Sequence, residues 1–153
     1  MEFPDIVSGF CKSFEDMPVK RLRIDMPLYS IQEHHATRLH YDLRLEMNGV
    51  LKSWAIPKVP PKGSNIKRLA VQTDDHPIGY YDFEGEIPAG YGAGKVILWD
   101  VGYYNPISCK ENKIIIEIFG KRLKGRYALV RIKTESNKKN WLFFKPLQKG
   151  STA

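Results

Sequence analysis

Residues 38–49 read RLHYDLRLEMNG, and the alternation in this stretch constrains the fold more than any other feature of the chain. Leu39, Tyr41, Leu43 and Leu45 fall on one side of a strand, and His40, Asp42, Arg44 and Glu46 on the other. The stretch ends in Asn48-Gly49, the pair that best tolerates the two positive φ angles of a type I′ turn, so a hairpin is expected. A two-residue turn sets Leu43 opposite Trp54 and Tyr41 opposite Ile56 as an apolar layer. On the polar face it sets Arg44 opposite Ser53 and Asp42 opposite Ala55. Small residues facing large polar ones leave room for a ligand.

The same period recurs along the chain. Strands are expected at 29–33, 39–47, 50–56, 68–73, 95–100, 113–119, 127–133 and 141–145. Many short strands separated by Gly, Pro and Asn indicate a mainly β sandwich or barrel. Residues 57–67 read as a Pro/Lys-rich loop, 74–94 as a long two-part loop, and 134–140 as a solvated turn. Residues 1–27 have less pattern, although Ile6, Phe10 and Phe14 have the spacing of a short helix. A length of 153 residues, 42% of them hydrophobic, suits one domain that buries its core without disulfides.

Two cysteines, Cys11 and Cys109, are too few for a thiolate zinc site and are expected to be reduced. No apolar run is long enough to span a bilayer, and the acidic, proline-bearing N-terminus lacks a signal-peptide pattern. A cytoplasmic location and no membrane partner are the expectation. The formal net charge is +7, unevenly spread. Residues 1–100 hold 12 Lys/Arg against 14 Asp/Glu, and residues 101–153 hold 12 against 3. A basic C-terminal third points to a polyanionic partner, nucleic acid first, against the plainer reading of lysines that keep a β protein soluble.

Chemistry concentrates in a few places. His40 and Asp42, two apart on a strand, project side by side roughly 7 Å apart at the backbone, and His34 lies just before them. Two imidazoles and a carboxylate suit Mn²⁺, Fe²⁺ or Zn²⁺ and leave coordination positions open. Arg44 ligates no metal, but its fork fits a phosphate. A metal beside an arginine reads as a phosphoryl site, against the alternative of an ordinary strand with its charges in solvent. His76 lies in the acidic run Asp74-Asp75-His76-Pro77, which predicts a retained proton and suits a general acid. The alternative is a turn histidine. Residues 90–95, GYGAGK, resemble a phosphate loop but run into a strand rather than a helix, so nucleotide binding is rejected and the glycines are read as a turn or bulge. The basic runs around Lys58, Lys62, Lys67 and Arg68, and over 120–126, are candidates to track a nucleic-acid backbone.

Taken together, YSIQEHHATRLHYDLRLEMNGVLKSWAIPK, KRLAVQTDDHPIGYYDFEGEIPAGYGAGKVILWD, GKRLKGRYALVRI and NWLFFK resemble the 3′-phosphoesterase domain of bacterial DNA ligase D, including its small free-standing archaeal versions. The resemblance runs from about Leu28 to Lys145, which would make 28–145 the barrel and 1–27 an N-terminal segment of a single domain. It implies a compact β-barrel with flanking short helices and an active site in a groove on the polar face. It further implies a Mn²⁺-dependent enzyme that removes a 3′-terminal ribonucleoside and then the remaining 3′-phosphate, leaving a 3′-hydroxyl. The family's metal ligands fall on His34, His40 and Asp42. Its catalytic and phosphate-binding residues fall on Arg44, His76 and His40, with Lys58, Arg68 and Tyr80 close by and Gln32 and Asp74 in support. Sequence alone leaves open whether His40 or His76 completes the metal shell.

There are departures. Bacterial members carry a longer acidic residue where Asp74 stands, and an N-terminal R-D-F-x-x-T-x-E-P stretch that GFCKSFEDMP does not match. The second departure bears on diester cleavage more than on monoester cleavage. The implied partners are DNA or RNA-tailed DNA 3′ ends in a primer–template, and a ligase or end-joining protein acting in trans, with a monomer expected. Two other classes remain at this point: a non-catalytic nucleic-acid-binding barrel using Tyr80, Tyr81 and Trp99 to stack bases, and a cupin-like metal barrel acting on small acids.

Overall fold

In the computed structural model, residues 26–90, 92–133 and 138–147 are described. The helix expected around Ile6, Phe10 and Phe14, and most of the turn at 134–140, lie outside them. Nine strands follow in chain order: β1 (Leu28–His35), β2 (Leu39–Met47), β3 (Val50–Ile56), β4 (Arg68–His76), β5 (Gly85–Ile87), β6 (Gly94–Lys110), β7 (Lys113–Phe119), β8 (Lys124–Arg131) and β9 (Asn140–Phe144). One 3₁₀ helix, Ile78–Asp82, is the helical element among the described residues. The strands pair in the order β1-β2-β3-β4-β9-β8-β7-β6, and β1 pairs back onto β6, closing an eight-stranded antiparallel barrel with β5 added beside β6. Closure leaves few unpaired edges, which suits so strand-rich a chain.

The β2–β3 hairpin forms as its turn chemistry requires. Asn48 and Gly49 hold φ of 52° and 82°, and Leu43 pairs with Trp54, Tyr41 with Ile56, Arg44 with Ser53 and Asp42 with Ala55. The apolar faces converge on one core, where Trp54 packs edge-on to Trp141 at 5.9 Å and Tyr127 stacks on Phe143 at 5.1 Å.

Three elements differ from the sequence expectation. β6 runs for 17 residues rather than ending at Asp100. Gly102 lies within it, where a Cβ would be 2.0 Å from the Phe119 carbonyl oxygen, so only glycine lets β6 cross its neighbour there. Pro106 sits where the β6–β7 register shifts, a position that tolerates the missing donor. β8 begins at Lys124 because Asp100 shapes the turn before it. Its buried carboxylate accepts backbone N–H bonds from Lys121, Arg122 and Leu123, and the Tyr29 hydroxyl as well. The segment 74–94 is less open than expected: β4 extends to His76, and the 3₁₀ helix and β5 follow. Cys109, expected to be reduced, is disulfide-bonded. No helix among the described residues is long and apolar enough to cross a membrane.

Candidate active site

The polar face of β1–β4 is the floor of the site. Cross-strand pairing sets His34 beside His40, Gln32 beside Asp42, and Arg44 beside Ser53. The Tyr80 and Phe83 carbonyls meet Gln32 and the Gly92 carbonyl meets His34 on this face, and side chains that a lone hairpin would leave in water are buried. Asp42 is 7% exposed and Arg44 4%. A cavity of about 650 Å³ remains above them. Its walls include His34, Arg38, His40, Asp42, Arg44 and Tyr80, together with Ala55, Thr73, His76, Ile87 and Gly92.

His34, His40 and Asp42 bring one ligand atom each to within 4.8 Å of one another. Asp42 Oδ2 lies 3.5 Å from His34 Nδ1 and 3.3 Å from His40 Nε2. The opposite ring nitrogens face carbonyls: His34 Nε2 is 2.8 Å from the Gly92 oxygen and His40 Nδ1 is 3.0 Å from the Arg38 oxygen. A carbonyl only accepts, so those nitrogens carry the protons in the neutral rings. The remaining lone pairs of both imidazoles then point at a carboxylate oxygen. Such an arrangement is repulsive until a cation sits among the three. Backbone-anchored imidazoles with their free nitrogens converging are how metal-binding histidines are oriented. The donor set and its geometry therefore fit a divalent transition metal. Without one, a proton serves in its place: the hydrogen bond to Asp42 raises the His40 pKa despite burial. Burial pushes the Asp42 carboxyl up, but the His40 bond and the Arg44 charge outweigh it and hold the group below its ordinary value.

Arg44 is clamped. Its Nε donates to Gln32 Oε1 at 2.8 Å and its Nη1 to Ser53 Oγ at 2.8 Å, while Nη2 lies 3.7 Å from Asp42 Oδ2. Burial lowers its pKa, opposed by the Asp42 charge. Gln32 is itself fixed, donating through Nε2 to the carbonyls of Tyr80 and Phe83 at 2.8 and 3.2 Å. The Tyr80 ring stacks on Phe83 at 5.0 Å and lies 5.3 Å from the Arg44 guanidinium.

His76 behaves otherwise than its acidic neighbours predict. The Asp75 carboxylate pairs with Lys52 at 3.0 Å, and the ring turns inward, with Nδ1 3.2 Å from Arg44 Nη1. Burial first, and the guanidinium second, lower its pKa below the ordinary histidine value. Nδ1 faces both this guanidinium, which only donates, and the Asp74 carbonyl oxygen at 3.1 Å, which only accepts. Among the described residues it is His40, not His76, whose ligand atom groups with His34 and Asp42.

Of the residues singled out from the sequence, His34, His40, Asp42, Arg44, His76 and Tyr80 line one cavity, and Gln32 lies just beneath it. Asp74 contributes its backbone carbonyl, 3.1 Å from His76 Nδ1. Lys58 and Arg68 do not line the cavity, and Arg68 Nε donates to the Val59 carbonyl at 2.8 Å. Two cations of the basic runs lie against aromatic rings, Lys67 on Phe144 and Arg122 on Trp99, and so does Arg131, on Trp141. Sequence reading missed Ser53 as a partner of Arg44, although the hairpin register had set the two opposite one another. It also missed the Gly92 carbonyl, for which side-chain chemistry carries no signal.

Comparison with known proteins agrees with this geometry. The family described as DNA ligase D 3′-phosphoesterase domain matches residues 32–131. The chain is 46% identical over 137 residues to the multifunctional non-homologous end joining DNA repair protein LigD of Mycobacterium tuberculosis, covering 86% of this chain and 18% of that protein. It is 46% identical over 123 residues to the multifunctional non-homologous end joining protein LigD of Pseudomonas aeruginosa, covering 76% and 15%. With its Mycolicibacterium smegmatis counterpart it shares 48% over 127 residues, covering 74% and 16%. The chain thus spans less than a fifth of the length of these relatives. With two thirds of its residues inside the family match, and the converging imidazoles, carboxylate and clamped arginine all within it, the chain belongs to the DNA ligase D 3′-phosphoesterase domain family.

Proposed function

We propose that this protein is a Mn²⁺-dependent phosphoesterase that heals DNA 3′ ends. It hydrolyses a terminal 3′ ribonucleoside to leave a 3′-phosphate, then hydrolyses that phosphate to a 3′-hydroxyl that a ligase can use. The observation that carries the reading is the convergence of His34, His40 and Asp42 beside a buried, clamped Arg44. A metal held by those three residues would supply Lewis-acid stabilisation of a phosphate oxygen and a lowered pKa for bound water.

The side chains supply the rest. With Nε and Nη1 of Arg44 committed to Gln32 and Ser53, its Nη2 is the edge left for a phosphate oxygen. Because the guanidinium is already oriented, it meets the charge that builds on phosphorus without reorganising. His76, whose pKa burial and the guanidinium lower, is suited to a hydrogen bond with a phosphate oxygen rather than to delivering a proton as general acid. Tyr80, held on the wall of the cavity between Phe83 and the Arg44 guanidinium, is placed to contact the terminal sugar or base. In each reaction one P–O bond to the leaving oxygen breaks and one P–O bond from water forms. The leaving oxygen is the ribonucleoside 5′-oxygen in the first step and the strand's 3′-oxygen in the second.

The test is a primer–template whose primer ends in one 3′ ribonucleotide, incubated with Mn²⁺ or with chelator. Gel mobility with end-group analysis should show a 3′-phosphate intermediate and a 3′-hydroxyl product only with metal. Affinity for the substrate with no product under either condition would instead leave a nucleic-acid-binding barrel.

A further inference from the structure

The cavity holds a second arginine that the phosphate site described above does not use. Arg38 stands at the tip of the β1–β2 hairpin, is exposed, and lines the same cavity. Its backbone carbonyl orients His40, but its guanidinium has no hydrogen bond or ion pair with any described residue. Nearby cations differ in this respect. Arg44 is bound by Gln32 and Ser53, Lys52 by Asp75, Arg68 by the Val59 carbonyl and Arg122 by the Trp99 carbonyl. A cation lining a cavity, with no acceptor among the described residues, is placed to meet an anion brought in by the ligand.

The size of the cavity agrees. About 650 Å³ is in the range that takes a drug-sized ligand and is more than a phosphate group requires. Six residues of extended chain separate Arg38 from Arg44, roughly 20 Å at the backbone, so two long side chains reaching inward address different phosphates of one strand. The metal-binding cluster lies between them.

We propose that Arg38 forms a second anion subsite, holding an internucleotide phosphodiester on the 5′ side of the phosphate engaged by Arg44. This rests on the phosphoesterase reading and deepens it: the preferred substrate is the end of a strand rather than a nucleoside 3′-monophosphate. Arg38 is a positioning residue, acting on KM and not on the bond-breaking step.

The experiment is a length series: a thymidine 3′-monophosphate and its di-, tri- and tetranucleotide counterparts, each with a 3′-phosphate, assayed with Mn²⁺ and the wild type, R38Q and R38K. For the wild type, KM should drop about tenfold at the length that first places a phosphodiester at Arg38, with kcat little changed. In R38Q that drop should vanish, and R38K should restore part of it. In parallel, binding of a 3′-phosphorylated primer in chelator is measured against salt, and the slope of log affinity should fall by about one in R38Q. A drop of equal size in R38Q, an unchanged salt slope, or no length dependence in the wild type overturns the subsite. Wild-type enzyme that turns over none of the series overturns the phosphoesterase reading itself. Arg38 is exposed at a hairpin tip, and thermal unfolding of R38Q matching the wild type separates loss of binding from loss of fold.

Discussion

At the scale of single residues, the site depends on how few options each polar atom has. Arg44 engages Gln32, Ser53 and His76 at once, and a lysine cannot reproduce that planar fork. Arg44→Lys should therefore lower kcat on a 3′-phosphorylated primer by roughly a hundredfold or more, measured at saturating substrate. Gln32→Ala leaves a buried guanidinium N–H without its acceptor and frees the carbonyls of Tyr80 and Phe83. It should cost about 1–3 kcal/mol in urea unfolding and loosen the 3₁₀ segment over the cavity. Asp42 is the point where both imidazoles and the guanidinium meet. Mn²⁺ at a hundred times its dissociation constant should stabilise the wild type by about 2.7 kcal/mol, seen as a raised melting temperature. Asp42→Asn should lose that shift, and an Asn variant that still gains it would remove Asp42 from the ligand set.

At the scale of elements, β6 decides where the site opens. Its first residue, Gly94, has a φ of +134°, and a Cβ there would lie 2.1 Å from the His35 carbonyl oxygen. Gly94→Ala forces apart β6 and the end of β1 that carries His34, with an expected loss of about 2–4 kcal/mol by urea unfolding. Gly79 in the 3₁₀ helix has nothing within 4 Å of such a Cβ and no positive φ, so Gly79→Ala should stay within about 0.5 kcal/mol of the wild type. The contrast separates a steric requirement from a general cost of replacing glycine. The β2–β3 hairpin is the opposite case. Its register follows from Asn48-Gly49 and the pleat, and that register aligns His40, Asp42 and Arg44 along one face.

At the scale of the molecule, closure of the barrel buries three tyrosines whose hydroxyls bond inside it: Tyr29 to Asp100, Tyr104 to the Glu46 carbonyl and Tyr127 to the Pro61 carbonyl. Burial raises all three pKa values, Tyr127 to about 12 and the others well above the ordinary value. The folded state therefore holds these protons more tightly than the unfolded chain does. The stabilisation is whole below pH 10, where both states are protonated, and is lost as pH rises from about 10 through 12. Each tyrosine contributes up to about 1.4 kcal/mol per pH unit over that range. Urea unfolding at several alkaline pH values should show the decline, and Tyr127→Phe should make it shallower by one tyrosine's share.

Much of this was open to reading from residue order, because it depends on local geometry. The alternation in 38–47 can be accommodated only by a strand with one apolar and one polar face. The Asn-Gly pair can be accommodated only by a turn that sets Arg44 against Ser53 and Asp42 against Ala55. What residue order could not supply depends on contacts between distant segments. The length of β6 follows from Gly102 passing under Phe119, the anchoring of His34 from a carbonyl 58 residues away, and the disengagement of Arg68 from the cavity from a bond to the Val59 carbonyl. The sharpest case is His76. Its neighbours in the chain predict a proton retained, and its neighbours in space, a buried guanidinium among them, predict one given up. Proton affinity is set by desolvation and by charges within a few ångströms, and only the folded barrel determines which charges those are.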